Sequence, residues 1–207
     1  MSESQKLFEQ AHRLMRKSSG GSVLTDAANL MKEAADAGHS GAANNYGMML
    51  QYGRGISEDL TKARHYYLQA AQAGLPEGQF NIGFMELHGL GGETDIKAAW
   101  KWFVIAGKAG DTDACTHLGR MHMLGEGCPQ DFDQARRWWR LGAERGDSRC
   151  AYNLGVAHAG GHGAPPDFVE ALRWFRLAGD LGNTDARAQI NKLAAIMTQD
   201  EIAAARA

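Results

Sequence analysis

Small, aromatic and acidic residues recur along the chain at a fixed interval of 36 positions. An alanine holds one position of each interval, and an aromatic pair follows it three and four residues later. These columns are Ala27, Ala63, Ala99, Ala135 and Ala171; Tyr66, Trp102, Trp138 and Trp174; Tyr67, Phe103, Trp139 and Phe175; and, before them, Asp59, Asp95, Asp131 and Asp167. Spacings of three and four predict helices, and a sustained period of this length predicts stacked copies of one helical unit.

Glycine keeps the same period and marks the ends of the predicted helices. The chain has 207 residues, of which 26 are glycine, about 13% against a typical 7%. Seventeen of them fall into four columns: Gly47, Gly83, Gly119 and Gly155; Gly53, Gly89, Gly125 and Gly161; Gly55, Gly91, Gly127 and Gly163; and Gly38, Gly74, Gly110, Gly146 and Gly182. Glycine accepts the left-handed conformation that closes a helix, and aspartate caps the start of one. The first full repeat should therefore hold helices over about 41–52 and 58–73.

The Gly47 column lies inside the first predicted helix of each repeat. A glycine there costs roughly 1 kcal/mol relative to alanine, so a packing reason is expected. We predict that the alanine column of the second helix, Ala63 in this repeat, packs against it. The aromatic columns are then interpreted as core that fills the seams between repeats.

Bulk composition excludes several classes of protein. Four prolines and the absence of a Gly-X-Y period exclude collagen, while 22% charged and 44% hydrophobic residues are typical of a folded chain. The net charge of −2 gives no support for nucleic-acid binding. No apolar run reaches the roughly 18 residues of a membrane span, and the start of the chain lacks the pattern of a secretion signal. The odd number of cysteines, Cys115, Cys128 and Cys150, favours reduced thiols and a cytoplasmic location.

The repeated motifs resemble the Sel-1-like repeat family, a relative of the tetratricopeptide repeat. One repeat reads Ala43-Asn44-Asn45-Tyr46-Gly47, Gly53-Arg54-Gly55, Asp59, Lys62-Ala63, Tyr66, Ala70-Ala71 and Gly74, and the pattern returns from Ala151 to Gly182. The resemblance covers about 22–182. It implies an all-α fold, a right-handed α/α superhelical solenoid of tetratricopeptide-like repeats with five helix pairs and a C-terminal capping helix. The family's usual tyrosine three residues after the helix glycine is replaced by Leu50, Glu86, His122 and His158.

We expect a single domain over 1–207. It comprises a degenerate N-terminal repeat over 1–38, four full 36-residue repeats over 39–182, and a C-terminal segment over 183–207. The capping helix of that segment is predicted from Asp185 to Arg206. In the degenerate repeat, Lys17 and Ser19 stand at the positions of the paired glycines, and Ser18–Ser22 is the predicted loop. Polar end repeats are typical of solenoids. We expect a monomer, with edge-to-edge self-association as the alternative.

The resemblance also implies a ligand-binding face. In tetratricopeptide proteins the first helix of each repeat lines a concave groove, and an asparagine there holds the peptide backbone of a ligand. The matching column is Asn45, Asn81, His117 and Asn153. An asparagine amide both donates and accepts hydrogen bonds, which suits a peptide of any sequence. The alternative is that these amides bond backbone between helices of the fold.

Neighbouring columns should face the same groove. They are Asn44, Phe80, Thr116 and Tyr152; Met48, Phe84, Arg120 and Val156; and Gln51, Leu87, Met123 and Ala159. Methionine and aromatic side chains suit adaptable partner binding, so Met48, Phe80, Phe84 and Tyr152 join the predicted partner-binding residues. Arg120 either grips a carboxylate of the partner or is simply a solvated charge.

No residues suggest catalysis or a bound cofactor. Known hydrolase and phosphate-binding motifs are absent. The column Glu86, His122 and His158 spans repeats about 10 Å apart, too far for a compact metal site. The sequence therefore predicts a non-enzymatic scaffold that binds a protein or peptide, with the resemblance implying bacterial roles in signalling, stress adaptation, assembly or effector inhibition. The alternatives are an immunity or inhibitor protein that binds a toxin, and a hydrolase or metal-dependent enzyme.

Overall fold

The computed structural model describes residues 1–17 and 21–206, and in these residues it contains twelve helices and no strand. The helices are α1 Glu3–Lys17, α2 Gly21–Asp36, α3 Ser40–Gln51, α4 Leu60–Gln72, α5 Pro76–His88, α6 Ile96–Ala109, α7 Thr112–Leu124, α8 Phe132–Glu144, α9 Ser148–Ala159, α10 Phe168–Asp180, α11 Ala186–Ala194 and α12 Gln199–Ala204. Residues 18–20 of the predicted N-terminal loop, Ser19 among them, lie outside the described residues. The predicted helices over 41–52 and 58–73 correspond to α3 and α4.

The chain forms two compact units, an N-terminal unit over Met1–Ala109 and a C-terminal unit over Gly110–Ala207. In the N-terminal unit, α1 packs with α2, α3 with α4 and α5 with α6, while α2 also contacts α3 and α4 contacts α5. In the C-terminal unit, α7 pairs with α8 and α9 with α10, and α8 also contacts α9. The short helices α11 and α12 both pack against α10. The five predicted helix pairs are confirmed, whereas the single domain over 1–207 stays a prediction.

The predicted helix boundaries are confirmed by the caps. Asp59, Asp131 and Asp167 are the N-caps of α4, α8 and α10, and each carboxylate accepts a hydrogen bond from the backbone N–H three residues later. At the other end of the first helix in a repeat, Gly89 and Gly125 adopt φ of 64° and 74° and close α5 and α7. Local sequence chemistry therefore sets where these helices begin and end.

The glycine inside each first helix lies against an aromatic ring of the second helix. A Cβ on Gly47 would lie 2.9 Å from Cδ1 of Tyr67, whereas Ala63 approaches through its carbonyl oxygen at 3.2 Å. A Cβ on Gly83 would similarly lie 2.9 Å from Phe103. The predicted approach through Ala63 is found, but it is made by the backbone, and the ring occupies the space that the missing side chain leaves. This aromatic column thus packs against the glycine of its own repeat.

Within each unit, the second glycine of a loop pair touches the preceding repeat. Gly55 has φ of +76°, and a Cβ there would come within 2.7 Å of the Leu24 Cβ in α2. The Gly55 carbonyl also accepts a 2.8 Å hydrogen bond from the Thr25 hydroxyl. In the C-terminal unit, Gly163 lies in the same way against Phe132 of α8. Glycine is required here both by the backbone conformation and by the close approach of two repeats.

Both ends of the chain differ in detail from the expectation. Gly21 and Ser22, predicted as loop, form the first turn of α2, where the Thr25 hydroxyl donates to the Gly21 carbonyl at 3.1 Å. The expected single terminal helix is divided into α11 and α12. The division follows from Thr198, which adopts an extended conformation and forms a capping box with Glu201, so that a new helix begins there.

Candidate functional site

The asparagines of the predicted column differ in whether their side-chain amides form hydrogen bonds within the protein. In the N-terminal unit, Nδ2 of Asn45 lies 3.3 Å from Nε2 of His12, and Nδ2 of Asn81 donates to Oδ1 of Asn44 at 2.8 Å. These contacts link α1 to α3 and α3 to α5. Two amides of the column thus already hydrogen-bond between neighbouring helices, although their partners are side chains and not the backbone groups of the structural alternative.

Asn153 differs from both. It lies on α9 and is half-buried, yet among the described residues its side-chain amide has no hydrogen-bond partner. An amide in this position keeps its full capacity to donate and to accept. His117, which breaks the column on α7, is also half-buried.

Asn153 opens onto an apolar cleft of about 410 Å³ in the C-terminal unit, which we call the Asn153 cleft. Its walls come from α7, α8, α9 and the loop that follows α9. The lining residues are Met123, Leu124, Gln130, Phe132, Trp139, Asn153, Val156, Ala157 and His162. Leu124 is 55% exposed and Val156 40% exposed, so the cleft presents apolar surface to solvent. Contiguous exposed apolar surface of this kind is typical of binding sites.

The walls of the Asn153 cleft are fixed by contacts of their own. Trp139 Nε1 donates to the Thr116 carbonyl at 3.2 Å, and Gln130 Nε2 donates to the Met123 carbonyl at 2.8 Å. The Phe132 ring stacks on His162 with ring centroids 6.0 Å apart. Because these groups are held in place, the cleft is preformed, and its polar contribution comes mainly from Asn153 and His162.

The other predicted binding residues lie at the edges of the core. Met48 packs against the core of the N-terminal unit, and the Phe80 and Phe84 rings lie 6.2 Å apart and half-buried. Tyr152 accepts a 3.2 Å hydrogen bond from Gln189 of α11 and packs on a core ring. Arg120 is partly exposed and pairs with Glu126 at 3.6 Å. The sequence had no signal for the contacts that Tyr152 and Arg120 make, since both partners lie outside the repeated positions.

The column of Glu86, His122 and His158 forms no metal centre within the described residues. Glu86 is buried and accepts a hydrogen bond from Arg64 of α4. In residues 1–17 and 21–206, no group of three or more His, Cys, Asp or Glu side chains is arranged to hold a metal ion. The ionic partner of Glu86 accounts for its burial without a metal.

One thiol and one imidazole do meet, Cys128 Sγ and His122 Nδ1, at 3.6 Å. Burial lowers the pKa of His122 and raises the pKa of Cys128, so both groups are held in their neutral forms. A nucleophilic cysteine requires the opposite shift of the thiol. Burial also raises the pKa of Cys115 to about 11 and that of Cys150 to about 12, as expected for thiols of the core. The arrangement gives no activated nucleophile at these positions.

The protein is a helical-repeat protein, because its helices pack in successive pairs and glycines at equivalent positions end the first helix of a pair. The Sel1 repeat model matches residues 24–39, 40–75, 76–111, 112–147 and 148–183. The chain therefore belongs to the Sel1 repeat family, whose members mediate protein–protein interaction. No helix in the described part of the chain is at once long enough and apolar enough to cross a membrane.

Solved structures show the same fold. A Sel1 repeat protein from Oxalobacter formigenes is 27% identical, with a TM-score of 0.83, over 96% of this chain and 84% of that one. A protective antigen of uropathogenic Escherichia coli with an SLR fold is 23% identical, with a TM-score of 0.56, over 92% of this chain and 48% of that one. An immunity protein from Pseudomonas aeruginosa is 17% identical, with a TM-score of 0.56, over 90% and 69%. A search of curated proteins finds no match.

Proposed function

We propose that this protein is a non-enzymatic scaffold that binds a segment of a protein partner, and that the Asn153 cleft is a principal contact site. The observation that carries the proposal is the free amide of Asn153 beside preformed apolar walls. The proposal keeps the first helices as the binding face, with Asn45, Asn81, His117, Met48, Phe80, Phe84, Arg120 and Tyr152 as further contact residues.

The chemistry of the cleft suits an extended segment with one apolar side chain. The Asn153 amide can donate to a backbone carbonyl and accept from a backbone N–H of the same segment. An apolar side chain placed beside Leu124 and Val156 would remove both from water. Full burial of a leucine or phenylalanine stabilises a complex by about 1.5–3 kcal/mol, and a hydrogen bond adds about 0.5–1.5 kcal/mol. Apolar burial would supply the larger part of the affinity, and Asn153 would fix the register of the backbone.

The matched pair Asn153→Ala and Asn81→Ala tests the proposal. Peptides selected from a random 12-residue display library against the whole protein would be labelled and titrated by fluorescence anisotropy. Asn153→Ala should weaken binding about 2- to 10-fold, equal to the loss of one hydrogen bond, and leave the free energy of unfolding unchanged. Asn81→Ala removes the bond to Asn44 as well as a contact residue, so besides weakening binding it should lower the free energy of unfolding by about 0.5–1.5 kcal/mol.

A second variant, Val156→Ser, removes apolar surface at the same cleft and should also weaken the selected peptides. The proposal is wrong if selected peptides bind wild type and both cleft variants equally. It is also wrong if Asn153→Ala unfolds the protein, because that result would give the amide a structural role.

The immunity-protein alternative concerns the kind of partner and not the mode of binding. A toxin bound along the same face would still contact Asn153, and co-expression with a toxin encoded beside this protein would test it by rescue of growth. A reducing compartment such as the cytoplasm suits the three free cysteines, and we place the protein there.

A further inference from the structure

The second helices of the C-terminal unit carry four arginines on their outer face, of which only Arg173 forms an ion pair among the described residues. We propose that the outer face of α8 and α10, with Arg137, Arg140, Arg173 and Arg176, is a second binding surface for an acidic segment of a protein partner. We call it the arginine surface. It does not rest on the Asn153 cleft, and either proposal can fail without the other.

The repeat period places these four residues side by side. Arg173 follows Arg137 by 36 positions, and Arg176 follows Arg140 by the same interval. Within each helix the two arginines are three residues apart and therefore lie on one face. Arg140 reaches α10, since its guanidinium carbon lies 6.0 Å from the centre of the Trp174 ring. One turn of α8 and one turn of α10 therefore carry two arginines each, and we treat the four side chains as one patch.

Three other arginines of this unit, Arg120, Arg136 and Arg149, form ion pairs in the described part of the chain, whereas three of these four do not. Arg136 bonds Asp133, and Arg149 bonds both Asp113 and Asp147. Arg173 donates to Glu170 at 3.0 Å and to the Ala204 carbonyl at 2.7 Å. The remaining members of the arginine surface have no ion-pair partner among the described residues.

The surroundings of Arg176 are also short of negative charge and of hydrogen-bond acceptors. Its Nη1 atom is buried and lacks an acceptor in the described structure. The residue lines a cleft of about 550 Å³ together with Arg173, Leu177, Asp180, Ala205 and Arg206. Arg173 is paired with Glu170, but Arg176 and Arg206 still outnumber Asp180 there, so the cleft has an excess of positive charge. An incoming carboxylate would supply the missing negative charge and hydrogen-bond acceptors.

The repeat architecture does not itself require these arginines. In the N-terminal unit the positions matching Arg140 and Arg176 are Leu68 and Val104, which carry no charge. The positions matching Arg137 and Arg173 are His65 and Lys101. A residue needed for packing between repeats would recur in each repeat, as the buried alanines do. The arginines are specific to the C-terminal unit, which favours a role in binding.

The distribution of charge favours an acidic peptide over a nucleic acid. Asp133 and Glu144 lie at the two ends of α8, and Asp180 ends α10, so acids border the patch along both helices. A continuous phosphate backbone crossing the surface would meet these acids. A short run of aspartate or glutamate fits between them, because neighbouring helices lie 8–10 Å apart and one helical turn spans about 5 Å.

A peptide of six glutamates in a Gly/Ser background, labelled with fluorescein, is the probe for the whole protein. Wild type should bind it at 50 mM salt and lose affinity as salt rises. The double variant Arg137→Gln/Arg140→Gln should bind at least 10-fold more weakly. The matched control is Lys97→Gln/Lys101→Gln on α6, which removes the same charge from a second helix of the other unit and should change binding less than 2-fold.

The variant Arg137→Lys/Arg140→Lys keeps the charge but loses the forked geometry, and should bind more weakly than wild type yet more tightly than the Gln variant. Urea denaturation checks that each variant is folded. The proposal is overturned if wild type does not bind the peptide. Equal weakening by the α6 control would overturn it too, as would tighter binding of a single-stranded oligonucleotide with six phosphates.

Discussion

Replacement of Gly155 by alanine tests why each repeat keeps a glycine inside its first helix. A Cβ on Gly155 would lie 2.6 Å from Cδ1 and 2.7 Å from Cε1 of Phe175, whose side chain is only 2% exposed. Ordinary carbon contacts are about 3.5–4.0 Å, so the ring and α9 would have to separate by roughly 1 Å. Because the ring is buried, it cannot relieve the clash by moving into solvent.

The expected magnitude is the difference of two opposing effects. Overpacking of a core costs about 1–3 kcal/mol, while alanine stabilises a helix interior by up to about 1 kcal/mol relative to glycine. We expect Gly155→Ala to lower the free energy of unfolding by about 1–2 kcal/mol. The control Gly179→Ala lies in α10, where the new Cβ would be 3.9 Å from the nearest atom, Cβ of Ala186. It should raise the free energy of unfolding by about 0.5–1 kcal/mol.

Urea denaturation followed by circular dichroism at 222 nm measures both variants, and thermal denaturation should separate their midpoints by about 4–8 °C. Phe175→Leu supplies the coupling test, since it removes the ring edge that the new methyl group would strike. In that background Gly155→Ala should be less destabilising than in the wild type. If Gly155→Ala stabilises the protein as much as Gly179→Ala does, the ring contact does not explain the glycine column.

Two further predictions concern caps and thiols. Burial opposes ionisation of Asp147, the N-cap of α9, but bonds from Arg149 and the Cys150 N–H outweigh it and keep its pKa below the ordinary value. Its contribution to stability is therefore present above pH 4 and lost as pH falls through the lower folded pKa. Asp147→Ala should cost about 1–2 kcal/mol at pH 7 and flatten the pH profile of stability in urea between pH 4 and 3. An unchanged profile would contradict this role. Iodoacetamide at pH 8 should label half-buried Cys128 before buried Cys115 and Cys150, as read by peptide mass spectrometry, and the reverse order would refute the burial argument.

The sequence predicted the elements because their signals are local and repeated. The Asp59 column caps helices through its own backbone neighbours, and glycine closes them through conformations that other residues avoid. Five matching repeats make such a signal unambiguous. The contact of Gly47 with the Tyr67 ring was missed because the alanine and tyrosine columns lie on the same helix, and a period of 36 residues does not show which side chain points at the glycine.

The candidate sites depended on tertiary structure for a similar reason. Asn45, Asn81 and Asn153 are equivalent in the sequence, yet only packing decides that two amides bond within the fold and the third faces an apolar cleft. The unneutralised arginines of α8 and α10 are likewise visible only once ion pairs are assigned. The sequence by itself determined the repeat, its helices and their ends, since these follow from backbone chemistry over a few residues. Tertiary structure alone decided which repeated side chains remain free to bind, because their partners come from helices distant along the chain.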